Sequence, residues 1–447
     1  MNPRTKKLLM LSGLLLVLLH VAILFLVVPA VSGRLTTSFN QEGYPDGYDQ
    51  LAANLAAGHG YRFYPETAST VMREPGYPIL LAGLFLVFGP SFAAVKLCNL
   101  VLAFATAWMM IPIARRVVPD AQWHRVPLYF LPSLLFLVHP GTLLAECRGG
   151  LEIIFAFLIV SFIWTVLYAI ETSSIVAFAT SGLILGITVL VRSTPILFPM
   201  FILAYLLAIH QTLRSRVATV LRIGVMIVAM FLAVGPWIIR NFALTGRFIP
   251  TTSVLGVSTQ AGEYINEHLF EGRPMWILDR EASRVRDKLA LDNGYTFEDG
   301  PQGYYQTFYK TSDEIAFSSY LARLTTAKYK ARPLLFARCL AQNLFNFWFA
   351  GKTWTATVLD FVAQLPYLLL AVLGTLGKPN RGRTDAQWIL VLFIGYLMLV
   401  HAPILAQARY SIPLVPFLSI LAASGVVVVA RKVTGGRVFV APSYASA

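Results

Sequence analysis

Apolar residues fall along this chain in runs of roughly 20, the length an α-helix needs to cross a hydrocarbon layer. Such runs can be drawn at 8–31, 91–114, 124–141, 151–170, 174–191, 195–210, 217–238, 355–377, 386–402 and 409–430. They predict an all-α polytopic membrane protein with about ten transmembrane helices. The first run, Leu8 to Val31 behind Arg4, Lys6 and Lys7, exceeds the roughly 7–15 residues of a signal-peptide core. It is read as an uncleaved first helix, although Pro29-Ala30-Val31-Ser32-Gly33 faintly imitates a cleavage site.

Two further apolar stretches, Gly76 to Phe88 and Leu334 to Phe349, are closer to interfacial or re-entrant length. Laid flat on the outer surface, they leave Arg4/Lys6/Lys7, Arg115/Arg116/Arg125, Arg214/Arg216, Lys378/Arg381/Arg383 and Arg431/Lys432 in cytoplasmic loops, as the positive-inside tendency requires. A spanning Gly76–Phe88 would turn Arg115/Arg116 and Arg214/Arg216 outward. In the second stretch Arg338, Gln342, Asn343 and Asn346 recur at helical spacing, a polar stripe suited to an interfacial helix. The expected protein is therefore a multi-pass protein of the cytoplasmic (inner) membrane with both termini in the cytoplasm. Residues 1–239 form an N-terminal transmembrane module with an outer-face loop, 32–91. Residues 240–353 form an outer-face segment with its interfacial helix, and 354–447 form the C-terminal transmembrane helices and tail. The loop 32–91 carries a short amphipathic helix starting near Asp46 and closed by Gly58 and Gly60. In the second segment Asp313 to Arg332 reads as a helix stopped by Pro333, and the small, polar tail after Lys432 is expected to be loose.

Composition agrees. The chain is 57% hydrophobic and 13% charged with mean hydropathy +0.65, against about 25% charged for soluble domains. The net charge of +14 is accounted for by cytoplasmic loops and calls for no nucleic acid. Cys98, Cys147 and Cys339 are odd in number and lack disulfide or zinc-site spacing. Neither G-x-x-x-x-G-K-[ST] nor G-x-G-x-x-G after a strand occurs, so a nucleotide-borne donor has no visible seat.

Candidate chemistry sits at the outer boundary. Asp46 and Asp49 open the first outer helix; the plainer reading is a capping box at the helix N-terminus, and the other is a carboxylate able to take a proton from a hydroxyl. Arg192 interrupts apolar sequence, where a cation costs at least about 2.5–3.5 kcal/mol unless it meets a helix end, water or an anion. Arg240 and Arg409 arrive at the same predicted depth, and three planar guanidiniums there suit a phosphate or lipid headgroups. Glu152 follows Arg148 at a spacing that makes a local salt bridge. Arg73 and Glu74 precede a proline- and glycine-shaped turn. His139 and His401 are isolated near outer span ends and are read as filling polar gaps.

In this order the segments Asp46-Gly47-Tyr48-Asp49-Gln50-Leu51-Ala52-Ala53-Asn54-Leu55, Arg73-Glu74-Pro75-Gly76-Tyr77-Pro78, Leu190-Val191-Arg192-Ser193-Thr194-Pro195, Pro236-Trp237-Ile238-Ile239-Arg240-Asn241, Gly246-Arg247-Phe248-Ile249-Pro250 and Arg409-Tyr410-Ser411-Ile412-Pro413 resemble the GT-C membrane glycosyltransferases. The resemblance is to bacterial relatives of dolichyl-phosphate-mannose protein mannosyltransferase and of the aminoarabinose transferase acting on lipid A. It runs through nearly the whole chain. It implies a GT-C-like bundle and a hexosyl or pentosyl transferase. The donor would be a polyprenyl-phosphate-linked sugar, and the acceptor a lipid, glycan or protein hydroxyl at the outer face. By the same resemblance Asp46, ahead of the Tyr48-Asp49-Gln50-Leu51-Ala52 run, is the catalytic base, with Asp49 its neighbour. Arg192, Arg240, Arg409 and Tyr410 are implied around the donor phosphate, and Arg73, Glu74 and Glu152 are further active-site candidates. Nothing in the spacing demands a cofactor; a divalent metal would fall to Asp46, Asp49 and Glu74. The rival function is a transporter or flippase of a lipid-linked intermediate, which would place polar groups near the bilayer midplane. A membrane-anchored binding protein is the third reading.

Overall fold

A computed structural model of the chain describes residues 3–32, 46–119, 122–123, 126–209, 213–300, 303, 306–377 and 385–433. Helix α1 (Pro3–Ala22) continues through a π-helical turn, Ile23–Val27, into Val28–Ser32. After α2 (Tyr48–Ala56) and α3 (Gly76–Phe88) come α4 (Phe92–Val117), α5 (Leu131–Val138), α6 (Pro140–Arg148), α7 (Glu152–Thr172), α8 (Ile175–Val191), α9 (Phe198–Ile209) and α10 (Leu213–Thr245). A lobe follows, made of α11 (Leu255–His268), α12 (Met275–Asp292), an antiparallel ladder pairing Phe297–Asp299 with Gln306–Phe308, α13 (Thr311–Ala331) and α14 (Pro333–Phe349). Helices α15 (Trp354–Leu376), α16 (Asp385–His401) and α17 (Val415–Val433) return to the bundle.

All ten predicted apolar runs lie mainly on helix. Among the described residues, six helices are long and apolar enough to cross a membrane. The pair Leu128–Val138 and Pro140–Arg148, bent by 50°, is a seventh if taken as one span. The bend has a local cause: His139 precedes a proline and is driven to extended backbone, φ −66°, ψ 127°. Its Nδ1 then accepts from Gly141 N at 3.1 Å, capping α6. The chain is a multi-pass membrane protein. Its bundle turns Trp108 and Val101 outward, 75% and 68% exposed, as side chains facing lipid should be.

Glycine lets α8 and α10 pack closely. Gly182 and Gly186 lie one turn apart on α8, and a Cβ on Gly182 would sit 2.1 Å from the Met226 carbonyl oxygen of α10, while one on Gly186 would sit 2.6 Å from Ala233 Cβ. Small residues at this spacing let two backbones approach in lipid. The bundle's two ends differ. At one, Arg116 Nε and Nη2 donate to Glu171 at 2.5 and 2.7 Å, and Tyr205 Oη donates to Asp385 at 2.7 Å. The lobe covers the other end. Buried Glu314 of α13 clasps the lobe to the loop before α3, accepting from Thr70 Oγ1 (2.6 Å), Val71 N (3.1 Å) and Ser253 Oγ (2.8 Å).

Helix α3 has the expected bounds, and α13 ends one residue before the turn into Pro333. The polar stripe on α14 behaves differently from its expected role. Arg338 is exposed, but Asn343 and Asn346 are buried. Asn343 Nδ2 donates to the Ala402 carbonyl at 2.8 Å and its Oδ1 accepts from Asn266 at 3.1 Å. These amides fasten the lobe to the end of α16 because a buried amide must find partners. The tail beyond Val433 and the basic loop 378–384 lie outside the described residues. Replacing Gly182 with leucine should force α8 and α10 apart and cost at least about 2 kcal/mol, read as a lower melting temperature in detergent. The same change at Gly224, where a Cβ meets nothing within 4 Å, should leave the melting temperature near wild type.

Candidate active site

Helix α2 begins at Gly47, whose φ of +70° is left-handed and suits glycine. Gly47, not Asp46, occupies the N-cap, and no side chain caps the helix. The expected capping box is thus absent: the turn at Gly47 directs Asp46 away from the helix. Its Oδ2 accepts from Arg409 Nη1 at 2.9 Å and its Oδ1 from Arg73 Nη2 at 3.5 Å. Burial alone would push the Asp46 carboxyl up. The Arg409 and Arg73 guanidiniums, the hydrogen bond from Arg409 and the charge of Lys352 together outweigh it and hold the carboxyl well below the usual carboxylate range.

Asp46 and Arg409 face a cavity of about 500 Å³ that also takes in Arg73, Glu74, Glu152, Arg192 and Tyr410. Arg192 is the first residue past α8, extended at φ −153°, and its Nη2 lies 3.1 Å from His401 Nε2. His401 Nδ1 lies 2.8 Å from the Leu397 carbonyl. A carbonyl only accepts, so Nδ1 carries the ring proton and Nε2 takes the hydrogen bond from Arg192. The Tyr410 ring lies 4.4 Å from the Arg192 guanidinium and 5.3 Å from that of Arg409, an aromatic face shared by two cations. Glu74 Oε1 accepts from Ser193 N at 3.1 Å, tying the Arg73 loop to the Arg192 turn. Glu152 lines the cavity from the start of α7. Arg148 ends α6, and no ion pair joins the two among the described residues; Gly149 and Gly150 between them break the helical register that the expected bridge needs.

Arg240 stands apart from this group. Its Nη1 donates to the Thr70 carbonyl at 2.9 Å and to Asn241 Oδ1 at 3.0 Å, and its guanidinium lies 4.4 Å from the Trp237 ring and 5.3 Å from the Tyr61 ring. Tyr61 Oη in turn donates to the Glu74 carbonyl at 2.9 Å. Arg240 therefore braces the loop that carries Arg73 and Glu74. Asp49, in the first turn of α2, does not line the cavity. Among the described residues no three His, Cys, Asp or Glu side chains gather as a metal site of three such ligands would need.

Asp46, Arg73, Arg409 and Tyr410 also line a second, smaller cavity of about 100 Å³, together with Asp279 and Arg286 of the lobe and with Lys352 and Gln407. Sequence reasoning passed over these four. Lys352 did carry a signal, a lone cation between two apolar helices, whereas Asp279 and Arg286 sit among many charges from Glu271 to Lys288.

No protein-family model and no curated protein sequence matches the chain. Among solved structures it resembles the Archaeoglobus fulgidus oligosaccharyltransferase, crystallised with a tethered acceptor peptide containing the NVT sequon, at a TM-score of 0.55 and 15% identity over 98% of this chain and 51% of that one. The chain shares the fold of that oligosaccharyltransferase. The chain spans about half the length of its archaeal counterpart. ArnT from Cupriavidus metallidurans, bound to undecaprenyl phosphate, gives a looser superposition, TM-score 0.39 at 13% identity over 95% of this chain and 79% of that one. In this fold the charged side chains of the two cavities lie where bundle and lobe meet.

Asp46→Asn should leave Arg409 and Arg73 short of counter-charge. The carboxylate is 21% exposed and Arg409 30%, so the loss should fall below that of a fully buried pair, about 2 kcal/mol. Adding Arg409→Gln should restore part of it, read as a double-mutant cycle of melting temperatures. The folded-state pKa lies below the unfolded one, so this stabilisation is fully present above about pH 4 and is lost as pH falls through the depressed folded value.

Proposed function

We propose that the protein is a membrane glycosyltransferase that moves a sugar from a polyprenyl-phosphate donor to a hydroxyl acceptor at the outer face of the cytoplasmic membrane. The observation that carries this reading is Asp46 paired to Arg409 and Arg73 and sharing one cavity with Arg192. Beside the arginines the cavity is apolar, with Ile196, Leu197, Val400 and Ile404 in its wall, which suits a phosphate that continues into a prenyl chain. Orientation has its own support. Arg115, Arg116, Arg431 and Lys432 all lie in last helical turns at the end opposite the lobe, so the positive-inside tendency sets the lobe outside.

The reaction would be one inverting displacement. The acceptor oxygen bonds to the anomeric carbon and its proton passes to Asp46, while the bond from that carbon to the phosphate oxygen breaks and polyprenyl phosphate departs. Arg192 and Arg409 face the charge that builds on the leaving phosphate, where one preorganised donor is worth about 3 kcal/mol in comparable sites. The two guanidiniums make Asp46 a weak base. A phosphate reaching Arg409 shares its positive charge and thereby returns basicity to Asp46 when the donor is present.

Asp46→Asn should retain the fold at reduced stability and lose about two or more orders of magnitude in transfer rate, measured with purified protein and a mixed polyprenyl-phosphate sugar pool. Asp49→Asn should act mildly. Full turnover by a stably folded Asp46→Asn protein would end the base assignment. Arg192→Lys and Arg409→Lys keep charge but lose the planar fork, and each should slow transfer, whereas Arg240→Lys should reduce thermal stability more than turnover. A cysteine replacing exposed Asn293 should react with an impermeant maleimide in intact cells; labelling only after the membrane is opened would place the lobe on the wrong side.

A further inference from the structure

One hydroxyl in the wall of the larger cavity has no task in the mechanism above. Tyr48 is the first residue of α2, directly after the left-handed Gly47, so the turn that frees Asp46 also sets Tyr48 in the same cavity wall. Its side chain is buried, and the ring is fixed on two sides. It meets the Tyr77 ring edge-on, 5.4 Å between centroids, and the Arg73 guanidinium lies 5.8 Å from its centre. A buried tyrosine ordinarily commits its hydroxyl to a partner. Tyr61 Oη does so with the carbonyls of Glu74 (2.9 Å) and Arg73 (3.2 Å), and Tyr77 Oη with that of Gly149. Among the described residues the Tyr48 hydroxyl makes no hydrogen bond, and it keeps contact with open space where a core hydroxyl would be sealed in. Burial pushes the phenol well above its ordinary value, and the charges of Asp46 and Glu74 oppose the pull of Arg73 and Arg192. At neutral pH it is therefore an uncharged group with a proton to donate. The nearby acceptors are engaged, the Asp46 oxygens by Arg409 and Arg73 and Glu74 Oε1 by Ser193 N. A committed donor beside Arg73 and Arg192 suits an anionic oxygen brought in from outside the chain.

We propose that Tyr48 is a substrate-binding residue whose Oη donates a hydrogen bond to an oxygen of a phosphate held by Arg192 in this cavity. The phosphate contact stands on the uncommitted hydroxyl and its place in the wall; that the phosphate belongs to a prenyl-linked donor rests on the glycosyltransferase reading. The contact supplies something the guanidiniums do not. It is a donor on a fixed ring that brings no further positive charge to Asp46, whose basicity two arginines already reduce.

Tyr48→Phe removes one oxygen and leaves the ring. The full-length protein in nanodiscs would be titrated with radiolabelled orthophosphate and, separately, with undecaprenyl phosphate, and its melting temperature read without ligand. Tyr48→Phe should weaken both probes by about tenfold, the loss of one hydrogen bond to a charged group. Its melting temperature should equal or exceed that of wild type, because the folded chain gives up no internal hydrogen bond. Tyr61→Phe and Tyr77→Phe, which each cut a bond to a backbone carbonyl, should melt lower. Unchanged affinity for both probes in Tyr48→Phe would overturn the proposal. So would a melting temperature lowered as far as that of Tyr77→Phe, which would give the hydroxyl a structural role. A wild-type protein that binds neither probe would overturn the phosphate contact and the donor together. Orthophosphate binding that weakens in Tyr48→Phe, in a protein that ignores undecaprenyl phosphate, would keep the contact and sink the prenyl-linked donor alone.

Discussion

The arrangement at the lobe end answers one constraint: several arginines are held where apolar helices end, and a guanidinium there keeps its charge whatever its surroundings. Each must find an anion, an aromatic face or a carbonyl. Arg409 and Arg73 close on Asp46, Arg192 on His401 and the Tyr410 ring, and Arg240 on the Thr70 carbonyl and Trp237. Satisfying them draws the loop before α3, the turn after α8, the end of α10 and the segment before α17 into one place. The cavity is what is left between these partnerships.

Much of this was legible in the sequence, for a physical reason. A cation between apolar runs stands out because the surrounding solvent makes it expensive. Arg192 and Arg409 therefore marked their place without knowledge of the fold, and the flanking runs gave the helices to within a few residues. Asp46 was ambiguous, since an aspartate ahead of a helix caps far more often than it reacts. Only the left-handed turn at Gly47, a matter of one dihedral angle, takes it out of the capping position.

What stayed hidden follows from the same logic. Arg240 shares the predicted depth of Arg192 and Arg409, yet depth does not say which side of a helix a residue faces, and it faces Trp237 and Tyr61. Asn343 and Asn346 have the spacing of a wetted face, but their amides pair across to Asn266 and Ala402; periodicity reports a polar face without reporting what covers it. Asp279 and Arg286 lie in a segment rich in charge, where no local contrast separates a buried pair from solvated ones. His401 read as a gap filler because its partner comes from a helix 209 positions away.

The Asp46–Arg409 contact joins positions 363 residues apart. During synthesis the Asp46 carboxylate therefore waits, in a chain already threading several helices into lipid, for a guanidinium that arrives only after α16. Contacts of such long sequence separation form late in folding, and no product truncated before residue 409 contains both groups. The assembled pocket thus records that synthesis has passed residue 409: a ribosome that stalls before it leaves behind a membrane protein with earlier helices seated and its charged centre unmade.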